Sequence, residues 1–397
     1  MSRRDRRFDE TESGKPGAAP LRLFFTSSGK TCLINADGTG LCVLEPEAPG
    51  QATWQPGSFL PDGRVLLLSM EPRRDGPGRP FEQYYTQTPT HLWVYDLDRG
   101  TLEELATQER RAVFYTPQLL LQDGRILMQV CRPGYSQIFN MRLDGSDARP
   151  FTGAAEGVAY GFSLSPDGGR IAFHLASPQG YQIWTCDPQG EARVLVAKDP
   201  DHLYFCPVWS PDGQWLLYQD CHHRSDPGHD WSDLRLSRPD GSEHRLLTQG
   251  QVMWFAASYG YPGKRGGGSN VPAWTREGQV LFPRRLPGAK VPWQYQDQRP
   301  DTDHFNRDFK PELARGGTEI CRLDPASGEV AVLSSSRPPV WDFRACESPE
   351  GSLIAFCRAQ TGGVPGLWVM RADGSSQRPL TRGLDDQGVD HPRWLPL

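Results

Sequence analysis

The chain has 397 residues, of which 37% are hydrophobic and 23% are charged, and its formal net charge is −5. This composition supplies enough apolar material for a large core. No apolar run approaches the roughly 18 residues of a membrane-spanning helix, so we expect no membrane partner. The acidic balance argues against a nucleic-acid partner, because nucleic-acid binders usually carry a concentrated basic surface.

The N-terminal segment, residues 1–19, is rich in charge, glycine and alanine. No apolar stretch follows its charges, so it lacks the central part of a secretory signal. We therefore expect a disordered tail over residues 1–19 and a cytoplasmic protein. The nine cysteines are scattered and never spaced as Cys-x-x-Cys, which predicts neither a disulfide framework nor a structural zinc site.

From residue 20 onward a turn signal of the form Pro-Asp-Gly, or a near variant, recurs along the chain. It stands at residues 61–63, 122–124, 166–168, 211–213, 276–278 and 349–351. A β-rich run such as RVLLLSM or RIAFHL follows each signal, and a second turn signal, usually containing Asp-Gly, comes after that run. The repeating unit is therefore four antiparallel strands with a period near the ~40 to 45 residues of a propeller blade.

The two ends of the chain supply complementary parts of one such unit. Residues 20–46 have the pattern of a second, third and fourth strand without a first, whereas residues 391–397 have the pattern of a first strand alone. Joined, they complete one blade. We predict an all-β, seven-bladed β-propeller over residues 20–397, closed by a C-terminal strand that joins the N-terminal strands. A six-bladed ring with frayed ends is the alternative.

Long insertions interrupt the repeat at residues 71–90, 220–231, 251–269 and 284–317. All of them fall between second and third strands or between blades, and these connections emerge on one side of a propeller. The insertions therefore enlarge a single face, and loops of this length in a compact fold are usually functional or disordered.

Aromatic and cationic side chains are frequent in these insertions, and a further tryptophan falls near the expected central channel. Aromatic faces beside arginine suit an anionic sugar, because arginine can grip a carboxylate in two places. The predicted substrate-binding residues are Tyr84, Tyr85, Trp254, Tyr261, Arg265, Trp293, Tyr295, Arg299 and Trp341. The alternative is that such aromatics only pin long loops to the ring.

Histidines and carboxylates from separate insertions provide a second signal. If the insertions fold inward, these groups could converge on a divalent cation such as manganese or zinc. The predicted metal ligands are His222, His223, Asp390 and His391. No local spacing forces this convergence, and solvated histidines are common.

The predicted catalytic residues are His229, His304 and Arg344. Arg344 should lie near the channel together with Asp342. An arginine beside a carboxylate at such a place is more often a structural pair than a catalytic one.

The strings SPDGGRIAF, WSPDGQWLLY and LWVMRADGSSQRPLT resemble the repeats of TolB-like propellers over nearly all of the chain after about residue 20. That group includes the periplasmic TolB component, propeller domains attached to peptidases, and oligogalacturonate lyases. We expect neither TolB's additional N-terminal domain nor a hydrolase domain in this chain, so the lyases are the enzymatic candidate. The resemblance implies a typically cytoplasmic, seven-bladed propeller that holds manganese with three histidines and a glutamine.

Only part of the lyase pattern is present. The final His-Pro of the family's Gln-x-x-His-x-His-Pro sequence corresponds best to His391 and the proline after it, but Asp386 and Val389 stand at the two upstream ligands. Cys206 stands where the family has its histidine base, and Asn270 stands near the place of another metal-binding histidine. These departures argue against the same chemistry with the same ligands.

We therefore expect a carbohydrate-active or carbohydrate-binding propeller whose partner is a small acidic carbohydrate or a protein ligand on the insertion-bearing face. Its enzymatic form would be a divergent, metal-assisted lyase of uronate-containing oligosaccharides. There a cation would polarise the sugar carboxylate while a base removes the neighbouring proton. The alternative is a non-catalytic TolB-like propeller that serves as a ligand- or protein-binding scaffold.

Overall fold

The architecture comes from a computed structural model. It describes residues 21–44, 53–70, 90–108, 119–132, 135–177, 180–223, 231–257, 267–295 and 307–396. The regular structure in these ranges consists of 32 short strands and three 3₁₀ turns, at Ala154–Glu156, Pro311–Leu313 and Leu384–Asp386. Within the described ranges no helix has the length and apolar character needed to cross a membrane.

The first sheet contains strands from both ends of the chain. It is built from β1 (Arg22–Ser27), β2 (Lys30–Asn35), β3 (Cys42–Val43) and β32 (Asp390–Trp394), in the order β3-β2-β1-β32. β32 runs antiparallel to β1 and places Trp394 opposite Leu23. The two ends of the described chain therefore lie in one sheet, while the number of blades and the closure of the ring remain predictions.

Antiparallel groups of four strands follow along the chain, as the repeated turn signals predict. The first two groups are β4 (Thr53–Phe59), β5 (Val65–Met70), β6 (Thr90–Asp96) and β7 (Thr101–Gln108), and then β8 (Leu119–Leu120), β9 (Ile126–Arg132), β10 (Tyr135–Met141) and β11 (Arg149–Pro150). The next two are β12 (Val158–Leu164), β13 (Ile171–Ser177), β14 (Gly180–Cys186) and β15 (Val194–Lys198), and then β16 (His202–Trp209), β17 (Leu216–His223), β18 (Asp233–Ser237) and β19 (His244–Leu246).

Two hairpins lie inside predicted insertions: β20 (Phe255–Ala257) with β21 (Gly267–Ser269), and β24 (Trp293–Tyr295) with β25 (Arg307–Phe309). The remaining groups are β22 (Ala273–Trp274), β23 (Val280–Arg285), β26 (Thr318–Leu323) and β27 (Val330–Val332), and then β28 (Val340–Glu347), β29 (Leu353–Gln360), β30 (Gly366–Arg371) and β31 (Arg378–Thr381). Single parallel pairings, β10 with β12 and β26 with β28, join neighbouring groups into larger sheets.

The Pro-Asp-Gly signals form tight turns for a local reason. At the turn after β12, the Asp167 carboxylate accepts hydrogen bonds from the Ser165 hydroxyl at 2.6 Å and from the Gly169 N–H at 2.9 Å. Gly168 has a φ of 71°, a left-handed backbone that glycine adopts without steric cost. These hydrogen bonds, first from Ser165 and then from Gly169, hold the pKa of Asp167 below its usual value.

Candidate functional site

We call the first strand of each four-stranded group its starting strand, and β32 takes that place in the sheet of β1, β2 and β3. Four starting strands share one backbone distortion: β12, β16, β28 and β32. Each slips its register against the neighbouring strand, and a residue within the slip has a left-handed backbone. The φ values are 58° at Gly161, 47° at Cys206, 57° at Arg344 and 53° at His391. We call these four residues the inner bulges. A left-handed backbone is costly for a residue other than glycine, so its recurrence marks a shape imposed by the fold.

Inner bulges of neighbouring starting strands lie side by side. A Cβ atom added to Gly161 would lie 3.1 Å from the Sγ atom of Cys206. The Nε atom of Arg344 is 2.8 Å from Oδ1 of Asp390, the residue before His391. The bulges therefore bring together residues that are far apart in the sequence.

Tryptophans on starting strands fix the spacing between these strands, and two of them, Trp209 and Trp394, stand three positions after an inner bulge. The Trp209 indole N–H donates to the Ser163 carbonyl oxygen at 3.3 Å, and that of Trp394 donates to the Cys346 carbonyl oxygen at 3.1 Å. Trp274 on β22 donates to the Val208 carbonyl oxygen at 3.2 Å in the same way. Each bond ties a starting strand to the starting strand of the preceding group.

Arg344, Asp390 and His391 form the charged part of this region. Their side chains are 9%, 23% and 32% exposed, so the guanidinium is the most buried of the three. Nδ1 of His391 lies 3.4 Å from Oδ2 of Asp390. The Arg344 backbone N–H donates to Oδ1 of Asn270 at 2.9 Å, which anchors the bulge itself.

The protonation states follow from these contacts. Burial and then the positive charge of Arg344 lower the pKa of His391 to about 4, although Asp390 opposes the shift. The imidazole is therefore neutral at pH 7. Burial alone would raise the pKa of Asp390, but the positive charge of Arg344, together with hydrogen bonds from the Arg344 side chain and the His391 backbone N–H, outweighs it and lowers that pKa.

The predicted pair Asp390 and His391 does lie together, but the described residues do not fit a divalent cation. The Asp390 carboxylate already faces the guanidinium of Arg344, so a cation there would meet a second positive charge. In the described ranges no three His, Cys, Asp or Glu side chains come together as a ligand set. The backbones of His222 and His223 lie in β17, and their side chains are outside the described part of the structure.

Three predicted substrate-binding tryptophans lie in the core. Trp254, Trp293 and Trp341 are 1%, 6% and 0% exposed, and the Trp341 indole N–H donates to the Thr361 hydroxyl at 2.9 Å. Their burial favours the packing alternative over contact with a ligand.

Tyr295 lies in β24, with its side chain outside the described part. The other predicted residues outside the described ranges are Tyr84, Tyr85, His229, Tyr261, Arg265, Arg299 and His304.

Asp342, which the sequence places near the channel, belongs to a buried structural pair. Its side chain is fully buried, and Arg358 binds both carboxylate oxygens, with Nε–Oδ1 at 2.7 Å and Nη2–Oδ2 at 2.8 Å. Arg358 also lies over the Trp368 ring, 4.7 Å from its centroid. This bidentate pair ties β28 to β29, so the arginine that binds Asp342 is Arg358, while Arg344 pairs with Asp390.

Sequence reasoning missed one cluster of titratable side chains. Oδ2 of Asp220 lies 2.6 Å from Nδ1 of His202 and 2.9 Å from Nε of Arg235. These residues come from β16, β17 and β18, so only the register of the strands brings them together. No motif spacing in the sequence could have indicated the cluster.

Comparison with known proteins gives one short sequence match. No family model matches the chain. A curated Tol-Pal system protein TolB from Anaeromyxobacter dehalogenans (strain 2CP-C) is 37% identical over 90 residues, which cover 18% of this chain and 20% of that protein. The match thus spans about a fifth of the relative's length.

Solved structures resemble nearly the whole chain. A puromycin-hydrolyzing peptidase from Mycobacterium tuberculosis has a TM-score of 0.57 and 14% identity, over 92% of this chain and 52% of that one. An oligogalacturonate lyase in complex with manganese has a TM-score of 0.53 and 14% identity, over 91% of this chain and 84% of that one. At these identities the likeness concerns the fold alone, and it confirms the prediction of an all-β propeller.

The predicted cytoplasmic location is wrong. The match to a TolB of the Tol-Pal system points to a periplasmic location instead. The prediction depended on the composition of the N-terminal segment, which lies outside the described residues. A propeller buries the same kinds of side chain in either compartment, so the fold itself carries no physical signal of location.

Proposed function

We propose that this chain, a TolB-like propeller with a distant resemblance to oligogalacturonate lyases, is a binding module for an acidic carbohydrate at the inner bulges. The observation that carries the proposal is the contact of Arg344 with Asp390 beside His391, on two neighbouring starting strands. A guanidinium is the side chain best suited to a sugar carboxylate. A neutral imidazole can donate to or accept from a sugar hydroxyl.

The Arg344–Asp390 pair gives this proposed site a defined geometry. Asp390 accepts from Nε, and the Arg344 backbone N–H is held by Asn270, so both ends of the arginine are positioned before a ligand arrives. A preorganised group loses less conformational entropy on binding than a mobile surface side chain does. Asp390 acts here as a positioning residue.

Closure of a seven-bladed ring is part of the same proposal. Two observations support it: β32 lies beside β1, and indole N–H groups link successive starting strands at Trp209, Trp274 and Trp394. In a closed ring the inner bulges would surround one central channel. A crystal structure would test the count directly.

Binding fits the described residues better than metal-assisted elimination does. Elimination requires a base with a pKa near the working pH, whereas the pKa of His391 is lowered to about 4. It also requires a set of ligands for the cation, whereas the Asp390 carboxylate is ion-paired with Arg344 and no three His, Cys, Asp or Glu side chains of the described ranges come together. The likeness to the manganese-bound lyase is one of fold and assigns no residue roles.

The test is calorimetric titration with trigalacturonate, with neutral maltotriose for comparison. Arg344→Gln should weaken trigalacturonate binding about tenfold or more, since a hydrogen bond to a charged group contributes about 1.5–3 kcal/mol. Arg149→Gln is the control, because that side chain is 73% exposed on the edge strand β11. Equal binding by wild type and Arg344→Gln would overturn the proposed site. An unsaturated product formed from trigalacturonate in the presence of manganese would replace the binding role with elimination.

A further inference from the structure

A second charged surface lies where β23 ends and the following loop begins. Its described lining includes Arg284, Arg285, Lys290 and Arg315 and no acidic residue. We call this surface the basic groove. It stands out against a chain whose formal net charge is −5. Its strands and loops supply none of the inner bulges, so it is a different site from the one proposed above.

Backbone pairing holds two of these cations opposite each other. The Lys290 N–H donates to the Arg315 carbonyl oxygen at 2.9 Å, and the Arg315 N–H donates to the Lys290 carbonyl oxygen at 3.1 Å. Gly316 has a φ of 79°, and a Cβ atom there would lie 2.6 Å from the Cα atom of Ala289. The close approach of the two segments therefore depends on glycine. Like charges at directly paired positions are unfavourable, and a bound anion would relieve that repulsion.

The other two cations differ in their partners. Arg284 is bound by Glu319, with Nη2–Oε1 at 2.6 Å, so its charge is balanced within the protein. Arg285 is exposed, and its backbone N–H donates to the Gln251 carbonyl oxygen at 2.8 Å. Among the described residues no carboxylate forms an ion pair with Arg285, Lys290 or Arg315. The groove thus presents three positive charges without an internal counter-charge in the described part of the chain.

We infer that the basic groove binds a small ligand bearing at least two oxyanion groups, either carboxylates or phosphates. Two arginines and a lysine around one groove can meet several oxyanions at once, because each guanidinium binds such a group in two places and the ammonium adds a compact charge. At Gly288, on the loop between β23 and Lys290, an added Cβ would have no atom within 4 Å, so the groove is open to an incoming ligand there.

The experiment uses two defined probes, citrate for carboxylates and inorganic pyrophosphate for phosphates, titrated into the full chain by calorimetry. The double variant Lys290→Gln/Arg315→Gln should bind the recognised probe about tenfold more weakly or worse, since charged hydrogen bonds are lost. Binding by the wild type should also weaken as salt is raised. Arg149→Gln is the matched control for loss of an exposed charge.

Binding of citrate alone, of pyrophosphate alone or of both, with loss in the double variant, supports the inference and identifies the source of the oxyanion. The absence of saturable binding of either probe by the wild type, or equal binding by the double variant, overturns it. Arg285→Gln provides a second variant at an exposed side chain if the double variant does not fold. Loss of probe binding in the double variant but not in Arg149→Gln assigns that binding to the basic groove, whereas Arg344→Gln reports on the inner bulges, so failure here is distinguishable from failure there.

Discussion

The four inner bulges share a left-handed backbone, but two of them carry uncharged residues and two carry an arginine and a histidine. At Gly161 and Cys206, which are both half-buried, the region is uncharged and closely packed: a Cβ on Gly161 would lie 2.6 Å from Nδ1 of the buried His174, and burial raises the pKa of the Cys206 thiol. At Arg344 and His391 the same backbone carries an ion pair and a partly exposed imidazole. The repeat therefore fixes where a side chain stands, and the residue at that position decides whether it packs or can meet a ligand.

The largest expected effect tests what holds the charged region in place. Asp342 lies on β28, two residues before Arg344, and Asp342→Asn breaks its bidentate pair with Arg358. Removing one partner of a buried pair costs about 3–5 kcal/mol, so chemical denaturation should show a loss of that order. Asp62→Asn is the control, because the Arg64–Asp62 pair has the same kind of contact, at 2.8 Å, on the surface. Similar losses in both variants would contradict a structural role for burial of the pair.

The next effect tests whether close packing around Gly161 excludes a side chain there. Gly161→Ala places a methyl group against His174 and forces alanine into a left-handed backbone, so we expect a loss of about 2–4 kcal/mol in chemical denaturation. Gly124→Ala separates the two causes, because Gly124 has a φ of 78° and an added Cβ there would have no atom within 4 Å. It should cost clearly less. Equal losses would leave backbone strain as the whole explanation.

A smaller effect is expected in the charged region, where the protonation of His391 should make folding stability depend on pH. The unfolded chain takes up a proton on His391 near the ordinary pKa of 6.5, whereas the folded chain does so only near 4. Between these values the unfolded state binds more protons, so acidification from pH 6.5 to pH 4 should lower stability. Denaturation at several pH values should show a shallower slope for His391→Gln. An unchanged slope would mean that folding does not lower the pKa of His391.

The strand pattern could be predicted because its signals are local. An Asp-Gly turn is set by a few consecutive residues, as the Asp167 hydrogen bonds show, and the complementary ends of the chain predicted the sheet that joins β32 to β1. Location could not be predicted in this way, since the composition argument depended on residues outside the described part of the structure.

The candidate site was harder to predict because its contacts are long-range. Arg344 and Asp390 are 46 positions apart and meet only through neighbouring starting strands. A usable signal was nevertheless present, because Gly161, Cys206 and Arg344 each stand four residues before the serine of a Ser-Pro-Asp-Gly or Ser-Pro-Glu-Gly turn. A large aromatic in an insertion has the same sequence pattern whether it packs inward, as the buried Trp293 does, or faces a ligand, so the pattern alone could not separate these two roles.

The most direct test of the account is an NMR titration of the His391 imidazole in wild type and Arg344→Gln, with and without trigalacturonate. We predict a pKa near 4 in the wild type, a higher pKa in Arg344→Gln because a nearby positive charge is removed, and a shift of the imidazole signals when trigalacturonate binds. A wild-type pKa near the ordinary 6.5 that responds neither to the substitution nor to the sugar would contradict a shared site at Arg344 and His391.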